Sequence, residues 1–192
     1  MTTFVLATHN AHKVEELRRI LGERLGPHDL VAYDGPDAIE DADTFEGNAL
    51  IKARAALAHT GLPALADDSG IAVDALGGAP GIHSARYAGT RDDGDNLRLL
   101  LANLEGVTDR TARFVCAAAL VDADGEVVVR GEWPGVVLEA PAGEGGFGYD
   151  PIFRPDGEQR SAAELTPAEK DAASHRFRAF SRLVDELRRR HG

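Results

Sequence analysis

Phe4-Val5-Leu6-Ala7-Thr8-His9-Asn10-Ala11-His12-Lys13 is the stretch that decides the reading of this chain. Four apolar residues in a row form a short buried strand, and Thr8-His9-Asn10 is a polar turn. Beyond it Val14, Leu17, Ile20, Leu21 and Leu25 recur at helical spacing, with Asn10 placed as the N-cap. A strand that turns directly into a helix points to an α/β fold. Working outward, Leu30–Tyr33 is a second strand. Thr44 caps a helix from about Phe45 to His59. Leu62–Asp67 and Ile71–Val73 are short strands around an Asp67-Asp68-Ser69-Gly70 turn, and residues 77–89 are loop. Asp92–Leu104 is a helix. Arg113–Val121 and Glu126–Arg130 are strands joined at Asp124-Gly125, a hairpin signal. Val136–Leu138 adds a strand, Glu139–Pro155 is glycine-rich loop around a short segment, Ile152-Phe153, and His175–His191 is an amphipathic helix through Phe177, Phe180, Leu183, Val184 and Leu187. Early alternation followed by a hairpin predicts a mixed sheet.

The 192 residues suit one domain, taken here as 1–192, or two small lobes sharing a core. With 43% apolar and 28% charged residues, the chain has the composition of a folded globular protein. No apolar run approaches the ~20 residues of a membrane span. Met1–Ala7 lacks the basic flank and apolar length of a signal peptide. A lone cysteine, Cys116, excludes an internal disulfide and a cysteine cage for a metal. A reducing, cytoplasmic location is therefore expected. The net charge of −11 argues against broad nucleic-acid binding, which needs a basic face. A small anion could still bind where cations and backbone amides cluster. Lys plus Arg is 21, yet only Lys13, Lys52 and Lys170 are lysines, which draws attention to those three positions.

Five segments carry chemistry. Thr8, His9, Asn10, Ala11, His12 and Lys13 stand at a helix start, where unpaired N–H groups and the positive dipole end favour a phosphate. Lys13 is poorly placed there for helix stability, and an anion nearby would explain it. Asp67 and Asp68 follow an apolar strand. If the backbone stays extended they point to opposite faces, so at most one faces a given site. Such a carboxylate can bind Mg²⁺ or orient water, and Ser69 with Gly70 can offer a hydroxyl and an N–H to phosphate. Gly143, Gly145 and Gly148 spell Gly-x-Gly-x-x-Gly, but Asp150-Pro151 makes a turn where the dinucleotide fingerprint needs a helix. What remains is a loop presenting Phe147 and Tyr149, rings able to stack on a base. Lys170 and Ser174-His175-Arg176 place donors at the start of the last helix. Glu40-Asp41-Ala42-Asp43 is an acidic loop able to lend a carboxylate to a metal. Without a P-loop, a His-Glu-x-x-His or a Gly-x-Ser-x-Gly motif, the chain is not expected to be a P-loop NTPase, a zincin or an α/β-hydrolase.

Taken together, these segments resemble the noncanonical purine nucleoside triphosphate pyrophosphatase family, also called the inosine triphosphate pyrophosphatase family. The matching pieces begin with Ala7-Thr8-x-Asn10-x-x-Lys13 with Glu16, and Thr44-Phe45-x-x-Asn48-Ala49 with Lys52-Ala53. Ala66-Asp67-Asp68-Ser69-Gly70 and Gly77-Gly78-Ala79-Pro80-Gly81 follow, then Ser84-Ala85-Arg86-Tyr87. The last are Gly146-Phe147-Gly148-Tyr149-Asp150-Pro151, Glu164-Leu165-Thr166 with Lys170, and Ser174-His175-Arg176. They run in order from residue 7 to 176 and contain all three lysines.

The resemblance implies an α/β fold with an elongated mixed β-sheet flanked by helices, in two lobes with a central nucleotide-binding cleft. It implies Mg²⁺-dependent hydrolysis of ITP, dITP and XTP to the monophosphate and pyrophosphate, which cleanses the nucleotide pool, by a homodimer. Carried over residue by residue, Thr8–Lys13 would bind the triphosphate, and Lys52 and Ser69 would contact phosphates. Asp68 would be the catalytic carboxylate, as general base or metal ligand. Glu40 would be another Mg²⁺ ligand, with Asp41 the alternative. Phe147 would stack on the base, with Gly148, Tyr149 and Asp150 shaping its pocket, and Lys170, His175 and Arg176 would read the 6-oxo group. The other readings are a Maf-type pyrophosphatase of modified pyrimidine nucleotides and a nucleotide sensor without catalysis.

Overall fold

A computed structural model describes residues 1–191. In chain order the elements are β1 (Thr3–Leu6), α1 (Ala11–Leu21), β2 (Asp29–Ala32), α2 (Phe45–Thr60), β3 (Ala64–Val73), α3 (Asp93–Asn103), β4 (Thr111–Asp122), β5 (Gly125–Val137), β6 (Phe153–Pro155), α4 (Pro167–Asp171) and α5 (His175–His191). The strands form one sheet in the order β2-β1-β3-β4-β5-β6. β1 pairs in parallel with β2 and β3, and β5 pairs antiparallel with β6, so the sheet is mixed as expected.

The chain divides into two compact units. The first comprises Met1–Asp68, Cys116–Gly131 and the C-terminal helix; the second comprises Ser69–Val115 and Glu132–Ser174. The first unit is built on an apolar cluster of Phe4 and Leu6 (β1), Leu17, Ile20 and Leu21 (α1), Leu65 (β3), Cys116 and Leu120 (β4), and Phe180, Leu183 and Leu187 (α5). Every residue from Val115 to Val121 is buried, which explains why that run is apolar on both faces. Each fully buried Leu or Phe contributes roughly 1.5–3 kcal/mol relative to exposure. The second unit has its own core, including Ile71, Leu100, Phe114, Trp133 and Phe153, with the Phe114 and Phe153 rings edge-to-face at 4.5 Å.

The helix starts follow the local chemistry. Asn10 Oδ1 accepts the Lys13 N–H at 3.2 Å and Thr44 Oγ1 accepts the Gly47 N–H at 3.0 Å. Gly61 ends α2 at φ 71°, a conformation that favours glycine.

Several elements differ from the sequence reading. β3 is one strand rather than two, because Ser69-Gly70 continues it. A side chain at Gly70 would collide with the Gly81 carbonyl and Ser84, so the glycine serves close packing and not a turn. β5 runs unbroken to Val137 and absorbs the separate strand expected at 136–138. Its Gly131 lies directly against the backbone of α5 at His175 and Ala179. Residues 77–89 contain a 3₁₀ segment, Gly81–Arg86, and α4 went unpredicted despite its Thr166/Glu169 capping box. Among the described residues no helix is long and apolar enough to cross a membrane.

Candidate active site

β3 carries Asp67 and Asp68 in extended backbone, so their side chains leave the strand on opposite faces. Both are buried, but the Asp67 side chain is wholly enclosed while Asp68 retains 10% exposure. The two serve different partners.

Asp68 faces α2. Asn48 and Lys52 are four residues apart on that helix and share a face. Asn48 Nδ2 donates to Asp68 Oδ2 and Lys52 Nζ to Asp68 Oδ1, each at 3.3 Å. Lys52 Nζ also lies 2.9 Å from Glu40 Oε2, so one ammonium holds two carboxylates. Asp41 is exposed, and Glu40 is the acid of that loop which reaches the cluster. Burial raises the Asp68 carboxyl above the ordinary carboxylate range. Lys52 and Lys13 oppose that shift, while the Glu40 and Asp67 charges reinforce it. Burial pulls the Lys52 ammonium down, but Asp68, Asp67 and Glu40 outweigh it and leave it raised.

Asp67 faces α1 and α5. Lys13 Nζ donates to Asp67 Oδ2 at 3.0 Å, and Arg176 Nε lies 3.6 Å from the same oxygen. Arg176 Nη1 also donates to Glu16 Oε2 at 2.8 Å. Burial would raise the Asp67 carboxyl, but Lys13, Arg176 and Lys52 hold it well below the usual range. Lys13 therefore sits with Asp67, and its charge also acts on Asp68. Lys13, Lys52, Glu40 and Asp68 thus gather within the first unit.

The rest of the Thr8–Lys13 segment is a turn. The Asn10 N–H donates to Thr8 Oγ1 at 3.2 Å, His9 Nδ1 is 2.7 Å from Asp37 Oδ1, and Ala11 and His12 are exposed. His175 and Arg176, both buried, begin α5 in this unit.

The second unit holds a separate polar cluster. Asp150 Oδ2 accepts the Phe147 N–H at 2.9 Å and Lys170 Nζ at 2.6 Å, and Lys170 Nζ lies 5.0 Å from the Phe147 ring centre. A side chain at Gly146 would strike the Asp150 carboxylate, so this glycine keeps the loop closed on its aspartate. The Gly148 N–H donates to Asp93 Oδ2 at 2.9 Å, and Tyr149 Oη donates to the Ser84 carbonyl at 2.7 Å. Ser69 is half-buried on β3.

Sequence reasoning passed over three polar groups of the first unit. In the sequence Asn48 and Glu16 are pieces of a motif, and nothing distinguishes Asp67 from Asp68. The Asn48/Lys52 spacing was the available signal for Asn48. Asp67 and Glu16 show their function only once α5 brings Arg176 to them.

Among the described residues no three His, Cys, Asp or Glu side chains form a ready metal cage. Two carboxylates do converge, because Glu40 and Asp68 both approach the Lys52 ammonium. That donor set suits Mg²⁺, which takes one or two carboxylates and completes its shell with water and phosphate oxygens.

The Ham1 family model matches residues 4–186. The chain belongs to the Ham1 family. Its solved Ham1 relatives include a protein from Coxiella burnetii, with a TM-score of 0.89 and 41% identity, covering 98% of this chain and all of that one. A further solved structure is a "Nucleoside-triphosphatase / dITP/XTP pyrophosphatase" from Mycobacterium abscessus, with a TM-score of 0.77 and 50% identity over 94% of this chain and 98% of that one. A relative in Leifsonia xyli named "dITP/XTP pyrophosphatase" is 55% identical over 98% of this chain and 96% of its own. One of the same name in Mycobacterium tuberculosis is 52% identical, over 98% and 96%.

Proposed function

We propose that this Ham1 protein is a nucleoside triphosphate pyrophosphatase. It hydrolyses noncanonical purine nucleotides such as dITP, XTP and ITP to the monophosphate and pyrophosphate, and so keeps deaminated purines out of the nucleotide pool. The observation that carries the reading is Asp68. It is a nearly enclosed carboxylate, gripped on both oxygens by Lys52 and Asn48, with Glu40 beside it. The names of the relatives support the substrate class.

The chain's own groups suit the chemistry. A carboxylate whose pKa burial has raised is a better proton acceptor than an exposed one, so Asp68 is fitted to take the proton from the attacking water. Attack at the α-phosphorus expels pyrophosphate. Lys52 and Lys13, with the N-terminal amides of α1, offset the charge of the phosphates. Glu40 would hold Mg²⁺, joined by Asp68 where that carboxylate serves as ligand instead of base; the ion when bound neutralises phosphate charge and polarises the bond being broken. Ser69 contacts phosphate. The Phe147 ring stacks on the base, backed by the Lys170 ammonium, and Gly148, Tyr149 and Asp150 shape its surroundings. Lys170, His175 and Arg176 supply N–H groups that donate to a 6-oxo oxygen and reject the 6-amino group of adenine. A donor facing a donor costs about 1–3 kcal/mol per buried group. The protein acts in the cytoplasm as a homodimer.

The test is a panel of dITP, XTP, ITP, ATP, GTP, dTTP and UTP, read by pyrophosphate release with and without Mg²⁺. Release from the first three in the presence of Mg²⁺ is expected. Preference for pyrimidine nucleotides, or nucleotide binding without release, would overturn the proposal.

A further inference from the structure

The acidic loop that bears Glu40 meets α2 at Ala42 as well as at the Glu40–Lys52 ion pair. The Ala42 N–H donates to Asn48 Oδ1 at 3.0 Å, while the other end of the same amide donates to Asp68 Oδ2 at 3.3 Å. One orientation of the Asn48 amide satisfies both contacts, and the reverse orientation would set donor against donor. Asn48 is buried, so either mismatch would leave an uncompensated polar group. The preceding residue touches the same alanine. A Cβ on Gly47 would lie 2.6 Å from Ala42 Cβ and 3.1 Å from Thr44 Oγ1. Glycine inside a helix costs roughly 0.5–1 kcal/mol relative to alanine. Here its backbone has an ordinary helical φ, so the missing side chain is what matters: it lets Ala42 seat against the helix. Ala42 is two residues beyond Glu40, so where Ala42 sits limits where Glu40 can reach. One helical turn further along α2, Lys52 completes the arrangement by taking Glu40 and Asp68 together.

Resting on the roles of Asp68 and Glu40 proposed above, we infer that Gly47 and Asn48 are positioning residues that dock the acidic loop on α2 and thereby set Glu40 against Asp68. Gly47 touches neither carboxylate, and Asn48 bears on the reaction only through the Asp68 carboxylate that it holds. Asn48 acts through Asp68 and Ala42, and Gly47 acts chiefly through Ala42, the nearest atom a side chain there would meet. A displacement of about 1 Å in such a supporting contact is enough to lower turnover by up to ~100-fold. Loss of a partner behind a metal ligand typically weakens metal binding or activity by roughly 10–100-fold.

The decisive variant is Gly47→Ala, read by kcat on dITP, by Mn²⁺ titration without nucleotide followed by electron paramagnetic resonance, and by thermal unfolding. Alanine favours the helix, so the variant should fold with a Tm no more than a few degrees from that of the parent. Its kcat should fall at least about tenfold and its Mn²⁺ affinity by a similar factor. Adding Ala42→Gly removes the opposing methyl and should restore both to within about threefold. Asn48→Asp keeps the acceptor for Ala42 but faces Asp68 with a second carboxylate, and it should also lose at least about tenfold in kcat. Parental kcat and Mn²⁺ affinity in Gly47→Ala would overturn the inference, as would a loss that Ala42→Gly fails to repair. Asp68→Asn separates this from the reading beneath it. An inert Asp68→Asn with an unaffected Gly47→Ala rejects the docking role alone. An active Asp68→Asn with Mn²⁺ binding weakened by Gly47→Ala rejects the catalytic role and leaves the docking intact.

Discussion

Replacing Asp67 by Asn should destabilise the protein strongly and flatten its response to acid. The change is nearly isosteric, so it removes a charge and little volume. Asp67 is wholly enclosed, with Lys13 Nζ at 3.0 Å and Arg176 Nε at 3.6 Å from one oxygen, while its other oxygen has no hydrogen-bond partner among the described residues. At an effective dielectric of about 20, each attraction is worth about 5 kcal/mol before desolvation is counted. Burying the carboxylate costs several kcal/mol of that, and breaking such a pair by removing one partner typically costs about 3–5 kcal/mol. Lys13 keeps 15% side-chain exposure and can turn towards water, and Arg176 keeps Glu16, so the expected loss is in the lower part of that range, about 3 kcal/mol. The pH dependence follows from the direction of the shift. The Asp67 carboxyl is held below its ordinary value of 3.8 in the folded protein. Its contribution is therefore complete above the unfolded pKa and is lost as pH falls towards the folded one. Urea unfolding at pH 7 and through the range from about pH 5 to pH 2 measures both effects. A loss below about 1 kcal/mol at pH 7, with an unchanged acid limb, would refute the view that Asp67 anchors α1 and α5.

Other changes should separate the clusters. Lys170→Met removes the ammonium from Asp150 and from the Phe147 ring, so KM for dITP should rise at least about tenfold with a smaller change in kcat; steady-state kinetics checks this. His175→Ala should lower the ratio of kcat/KM for ITP over ATP, and an unchanged ratio would deny it a part in reading the base. Leu183→Ala, in the core of the first unit, should cost about 2–5 kcal/mol in urea unfolding while leaving the order of preferred nucleotides intact.

The parts legible in the sequence are those fixed by local chemistry. The strand–turn–helix at β1 and α1 shows in an apolar run, a capping Asn10 and helical spacing, all within 20 residues. The opposite facing of Asp67 and Asp68 follows from strand geometry once the backbone there is extended, as β3 makes it. What stayed hidden depends on distant neighbours. Gly70 reads as a turn residue until Ser84 and the Gly81 carbonyl are seen to crowd it. Gly47 looks like a poor helix residue until Ala42 packs on it. Asp67 reads as a duplicate acid until α5, more than 100 residues later, supplies Arg176. α4 is the exception, because Thr166 and Glu169 spell the capping box of a helix only five residues long, which is easily taken for loop.

The most direct measurement is the rate of dITP hydrolysis by Asp68→Asn in a single turnover, with the nucleotide affinity and the Tm of the variant recorded beside it. An amide can accept no proton from water, so the rate should fall by at least about 100-fold while the variant stays folded and still binds dITP. Hydrolysis within about tenfold of the parent would show that the carboxylate at residue 68 does not activate the nucleophile.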